Sequence, residues 1–101
     1  MSNFPSNLRA RNIKAEILPF AFYSSVLNSA KSNSEEWNEA GLCPFHADRR
    51  PGSFFINLKT GAFNCYSCGA KGSDIIAFTQ QHNKLSFVDA LKKLQADWGL
   101  S

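Results

Sequence analysis

The spacing of apolar residues changes along the chain, and each change predicts an element. Phe87, Ala90, Leu91, Leu94 and Trp98 fall at i, i+3, i+4, i+7 and i+11, the stripe of a helix that packs on a core. Ser86 and Asp89 resemble a capping box at its start, with Asp in place of the usual Glu, and Gly99 stops it. Just upstream, Ile75, Ile76, Phe78 and Thr79 predict another helix with an apolar face. Ser73 is its N-cap, and Asp74 lies in the first turn, where a negative charge suits the helix dipole. Residues 53–58 alternate instead. Phe54, Ile56 and Leu58 share one face, and Ser53, Phe55 and Asn57 the other. With 62–66 they predict a hairpin around a short turn containing Gly61.

The first third of the chain is patterned less clearly. Residues 1–11 are polar, with Pro5 among them, and predict a flexible tail ahead of a domain spanning 12–101. Asn12 is placed to cap a short helix over 13–18 that Pro19 ends. The run FAFYSSVL, 20–27, is rich in aromatic and β-branched residues. It reads as a strand, with a second helical turn as the alternative. Residues 28–36 read as a polar loop, and no internal repeat is present.

Composition narrows the class. The 101 residues suffice for one domain with a modest core, and 44% hydrophobic against 19% charged residues is a globular balance. No apolar run reaches the ~18 residues of a membrane span, and the N-terminus lacks the apolar stretch of a secretory signal. A cytoplasmic protein with no membrane partner is expected. A net charge of +3 permits nucleic-acid binding without demanding it.

The three cysteines change the picture most. Cys43 and His46 lie in GLCPFHADRR; Cys65 and Cys68 lie in NCYSCGAKGS. Together they read C-x2-H-x18-C-x2-C, using every cysteine. A two-residue gap lets a pair of ligands fold around one ion, and two such knuckles joined by a hairpin complete a tetrahedron. Thiolates with an imidazole favour zinc over harder cations, and four protein ligands leave no open position, so one structural Zn2+ is expected and no catalytic metal. Gly69 frees the backbone to turn after the second pair. Three structural thiols with a surface histidine, or a dithiol redox motif at Cys65–Cys68, are the rival readings; the second leaves Cys43 and His46 unexplained. His82 has no partner at ligand spacing and reads as a solvated residue near a helix end.

With these residues in place, GLCPFHADRRPGSFFI, FNCYSCGAKGSDIIAF and LSFVDALKKL together resemble the N-terminal zinc-binding domain of DnaG-type bacterial and phage DNA primases. Cys43, Pro44, His46, Pro51, Ser53, Phe54, Cys65, Cys68, Gly69, Gly72, Phe78, Ser86, Phe87 and Ala90 stand where the family pattern needs them. The resemblance covers roughly 12–100. It implies an α+β fold: a zinc ribbon on a small antiparallel sheet flanked by short helices. It also implies binding of single-stranded template DNA in support of primer synthesis by a separate catalytic domain or polymerase subunit, with a replicative helicase as a further partner. The eight acidic residues form no two-metal cluster, so no catalytic residues are assigned and primer synthesis by this chain alone is not expected. Two departures from the family pattern stand out. Gly52 lengthens the loop before the strand, and the segment before Gly41, basic in the family, reads SEEWNEA with Glu35, Glu36 and Glu39, which weakens one phosphate-contact surface.

Single strands are held by cations that track phosphates and by aromatics on which bases stack. Arg49, Arg50, Lys59 and Lys71 are the candidate cations; Phe55, then Tyr66 and Trp37, are the candidate platforms. Against this, Arg49 and Arg50 read equally as solvated or paired with Asp48, Phe55 and Phe63 as core, and Trp37 as a cover for the sheet. Lys92 and Lys93 read as solubilising. The acidic run favours a different class altogether, a stand-alone zinc-stabilised module of a phage or mobile element that docks on a helicase or polymerase.

Overall fold

The computed structural model describes residues 10–27, 36–47 and 49–100. In chain order these form α1 (Ala10–Glu16), α2 (Pro19–Leu27), β1 (Trp37–Glu39), β2 (Phe54–Asn57), β3 (Phe63–Cys65), β4 (Lys71–Gly72), α3 (Ile75–Asn83) and α4 (Phe87–Asp97). The strands make one antiparallel sheet in the order β1-β2-β3-β4. The expected α+β layout of a small antiparallel sheet with flanking helices is what the chain adopts.

The hairpin forms where the alternation placed it, though each strand is shorter than its apolar pattern. Asn57 is the reason for the turn: its Oδ1 accepts from the amides of Lys59 at 2.8 Å and Thr60 at 3.0 Å, and its carbonyl accepts from Gly61 N at 2.8 Å. Phe54 faces Cys65 and Ile56 faces Phe63 across the ladder. Phe54, Ile56 and Phe63 are almost wholly buried. Each such side chain contributes about 1.5–3 kcal/mol by leaving water. Phe78 of α3 packs edge-on against Phe63, Phe22 and Tyr23, so one aromatic cluster joins sheet and helices.

Four sequence expectations need correction. The segment 20–27 is helix α2, not a strand, and Pro19 opens it instead of ending α1. Proline is preset for the first helical position, where its missing N–H is not needed. Burial of the adjacent Phe22 and Tyr23 outweighs the strand preference of the local sequence. Helix α1 runs Ala10–Glu16, so it begins before Asn12, and Ala10 and Arg11 belong to it. The cap of α3 is Asp74, whose Oδ1 accepts from Ala77 N at 2.8 Å, and not Ser73. Phe87 is 47% exposed and stands off the buried stripe of α4, which retains Ala90, Leu91 and Leu94. Ser86 caps α4 as expected, accepting from Asp89 N at 3.1 Å. Residues 1–9 of the expected tail and 28–35 of the expected loop lie outside the described residues.

Two strands were not foreseen. Strand β1 lies within the acidic segment, tied to β2 by Leu58 N donating to Glu36 O and Ala40 N to Phe54 O. Strand β4 is two residues long and presses Gly72 onto the Phe63 ring. A Cβ at Gly72 would stand 2.5 Å from that ring and 2.8 Å from Ala77 Cβ.

Candidate metal centre and the open face of the sheet

The sheet brings the two knuckles to one end. Pairing of Phe54 with Cys65 puts the start of β2 beside the end of β3, and Ala40 is bonded to Phe54, so the chain entering the first knuckle leaves the sheet at that same end. The ligand atoms of Cys43, His46, Cys65 and Cys68 all lie within 4.8 Å of one another. Two sulfurs on a tetrahedral ion at a bond length of about 2.3 Å stand about 3.8 Å apart. The Cys43 and Cys68 Sγ atoms are separated by 3.8 Å. Donor set and spacing therefore fit one tetrahedral zinc ion.

Backbone amides complete each knuckle. Phe45 N donates to Cys43 Sγ at 3.3 Å, and Cys68 N donates to Cys65 Sγ at 3.5 Å. Gly69 takes φ +82 and donates to Cys65 O at 2.9 Å, the left-handed turn its position predicted. Burial pushes the Cys43 thiol up to about 12; the Phe45 amide opposes that, and the Cys65 and Cys68 thiols add to it. Cys65 is buried too, but the Cys68 and Ser67 amides, with the Cys43 and Cys68 thiols, outweigh burial and hold it below its ordinary value. A divalent cation would reverse the balance at Cys43, because it binds the thiolate.

Phe45, inside the first knuckle, carries a role the sequence did not suggest. Its ring stacks on Phe63 and meets Phe78 edge-on at 5.1 Å, fastening the knuckle to the core. His82 is exposed, as expected, yet its ring rests 5.8 Å from Phe45 and 5.2 Å from Phe78.

The face of the sheet turned away from the helices holds most of the candidate DNA residues. Residues directly opposite one another on antiparallel strands share a face. Glu39 pairs with Phe55, Phe55 with Asn64, and Asn64 with Lys71, giving one row across all the strands. Trp37, opposite Asn57, shares this face and is 48% exposed. Tyr66, 74% exposed, sets its ring 5.6 Å from that of Phe55. Phe55 is half-buried, whereas Phe63 belongs to the core. Arg49 and Arg50 are exposed on the loop between the first knuckle and β2; Asp48, their suggested partner, lies outside the described residues. Lys59 is separated from the others, at the opposite end of the hairpin beside Lys14, Pro19 and Ser73. Lys92 and Lys93 are exposed on α4, and Lys93 pairs with Asp97 at 3.0 Å. The acidic segment is partly spent on local structure: Glu39 Oε2 accepts from Gly41 N at 2.6 Å, while Glu35 lies outside the described residues.

Comparison with known proteins agrees with this geometry. The CHC2 zinc finger family, the zinc ribbon of DnaG, matches residues 23–101. The DNA primase of Lactococcus lactis is 46% identical over 57 residues, which are 56% of this chain and 9% of that protein. The DNA primase of Helicobacter pylori is 45% identical over 71 residues, 70% of this chain and 12% of that protein. The crystal structure of the Aquifex aeolicus primase, comprising zinc-binding and RNA polymerase domains, superposes with a TM-score of 0.70 at 29% identity, covering 96% of this chain and 22% of that one. The chain spans about a tenth of the length of these curated relatives. No helix among the described residues is long and apolar enough to cross a membrane. With a family match over most of its length, a superposable zinc-binding domain and a Cys3His cluster of tetrahedral spacing, this chain belongs to the CHC2 zinc finger family of DNA primases and carries that family's zinc ribbon.

Proposed function

We propose that the chain is the template-binding module of a bacterial primase, acting in the cytoplasm, with Cys43, His46, Cys65 and Cys68 holding one structural zinc ion. The ion, once bound, cross-links the two knuckles and takes no part in a reaction, since all its positions are filled. The rigid knuckles fix the loop bearing Arg49 and Arg50 beside the open face of the sheet. Bases of a single strand stack on Phe55, Tyr66 and Trp37, while Arg49, Arg50 and Lys71 meet its phosphates. Lys59, at the far end of the hairpin, contacts only a strand long enough to run the length of the sheet. Primer synthesis then belongs to a separate polymerase domain or subunit, which this module serves as an accessory.

The observation that carries the reading is the clustering of three exposed or half-exposed aromatics on the sheet face that, among the described residues, no helix covers. A second reading, docking on a replicative helicase or polymerase, is favoured by Glu39 standing on that face, on the edge strand β1 beside Phe55. Trp37 provides a test between them. In a Trp98→Phe variant, Trp37 is the remaining tryptophan. Stacking predicts that single-stranded oligonucleotides quench its fluorescence. No quenching under conditions where the protein binds the oligonucleotide would place the contact elsewhere.

A further inference from the structure

The carboxylate of Glu39 is hard to reconcile with a surface that only gathers phosphates, yet its place in the sheet is well defined. It lies directly opposite Phe55, and Asn64 lies directly opposite Phe55 on the other side. Neighbouring strands are about 4.8 Å apart, so a base stacked on Phe55 has the Glu39 carboxylate at one flank and the Asn64 amide at the other. Glu39 is already oriented: Gly41 N holds Oε2, which leaves Oε1 as an acceptor. The Asn64 side chain is half-buried and makes no hydrogen bond within the described residues, so its carbonyl and amide groups are both available. Lys71 closes the row beside Asn64, where a cation can meet the phosphate of the same nucleotide.

We propose that Glu39 is a base-reading residue, with Asn64 holding the same base from the other side of Phe55, and that it makes this face prefer bases with an exocyclic amino group over thymine, the DNA base that lacks one. The inference rests on the single-strand reading above and deepens it. A carboxylate only accepts, so it pairs with an N4 or N6 amino group and meets repulsion from the O4 carbonyl that thymine carries at the same position. An amide offers one donor and one acceptor side by side, which complements an amino group next to a ring nitrogen and, turned over, the N3–H beside O4 of thymine, so Asn64 holds the base while Glu39 selects it. The acidic residue is then a source of selectivity: it lowers general affinity for a polyanion and rejects the wrong base.

The test compares oligo(dC) with oligo(dT) of about 12 nucleotides, within the range of small single-strand sites. Both are pyrimidines, so ring size does not separate them. The zinc-loaded protein is expected to bind oligo(dC) at least about fivefold more tightly. Glu39→Gln keeps an acceptor for Gly41 N, and it should bring the ratio to within about twofold, whereas Asn64→Ala should weaken binding to both oligonucleotides and leave the ratio in place. Zinc content and melting temperature of both variants confirm that the fold is intact. Equal affinity of the wild type for the two oligonucleotides would overturn the proposal. So would a Glu39→Gln variant that tightens binding to both by the same factor, since the carboxylate would then be repelling phosphates and reading nothing. Absence of binding to any oligonucleotide would remove the single-strand reading itself, and this inference with it.

Discussion

Phe45 lies nearly parallel to Phe63, with ring centroids 5.3 Å apart and an interplanar angle of 18°. The first ring sits between two candidate metal ligands and the second is at the centre of the sheet, so metal centre and core are one packed unit. Truncating a well-packed phenylalanine costs about 3–5 kcal/mol when it is fully buried. Phe45 is half-buried, so Phe45→Ala should cost about 2–3 kcal/mol and speed the transfer of zinc to a chelator. Urea unfolding and a chelator time course read both effects. A variant that loses stability but holds zinc as long as the wild type would show that the knuckle does not depend on this stack.

Removing one ligand should have a larger effect. Structural zinc contributes folding free energy on the order of 10 kcal/mol. Cys68 is the exposed cysteine of the set, so Cys68→Ser leaves core packing untouched and isolates the metal term. The variant should lose its cooperative melt, and chelator should do the same to the wild type. A wild-type melt unaffected by chelator would contradict a structural ion.

The pH dependence follows from the thiols. Without metal, Cys43 is pushed from an ordinary value of 9.0 up to about 12, mainly by burial. A pKa raised by folding favours the fold below the ordinary value, and that contribution is lost as pH rises toward about 12. Zinc inverts the sign. The bound thiols are thiolates, so the unfolded chain carries more protons than the zinc-loaded fold, and stability is lost as pH falls below about 9. Zinc binding near neutral pH should release about three protons, fewer to the extent that the lowered Cys65 is already ionised. Calorimetry in buffers of different ionisation enthalpy counts them. Release of none would mean that the thiols are not the ligands.

Tyr23 anchors the hairpin turn from the helical side. Its hydroxyl donates to Gly61 O at 2.6 Å within the buried interior. Tyr23→Phe should destabilise the protein by about 1–2 kcal/mol, since the carbonyl is left without its partner. It should leave zinc content and DNA affinity unchanged. Denaturant unfolding measures the first, and a change in the other two would mean that the turn is coupled to the site.

What could be read from the sequence was what is encoded locally. The ligand pairs are each three residues apart, so their spacing survives any uncertainty in the fold. Ser86 and the stripe from Ala90 to Trp98 define α4 through contacts within a few turns. Local sequence points to a strand at α2 because the deciding interaction, packing of Phe22 and Tyr23 on Phe78, joins residues far apart in the chain. Strand β1 escaped notice for a related reason. Trp37–Glu39 alternates only once, and its pairing with β2 makes it a strand. That pairing also moved Glu39 from a charge run into a row with Phe55, while the hairpin carried Lys59 away from the other cations.

The open face of the sheet is expected to hold single-stranded template. Fluorescence anisotropy of zinc-loaded protein with labelled single-stranded and duplex DNA, at low and at moderate salt, tests it most directly. The protein should prefer the single strand. The log–log salt slope should be about −0.7 per neutralised phosphate, hence about −2 to −3 for three or four contacts. The double variant Arg49→Ala, Arg50→Ala should bind more weakly with an unchanged melting temperature, and Phe55→Ala should weaken binding without flattening the salt slope. Affinity that is independent of salt, or equal for duplex and single strand, would contradict it.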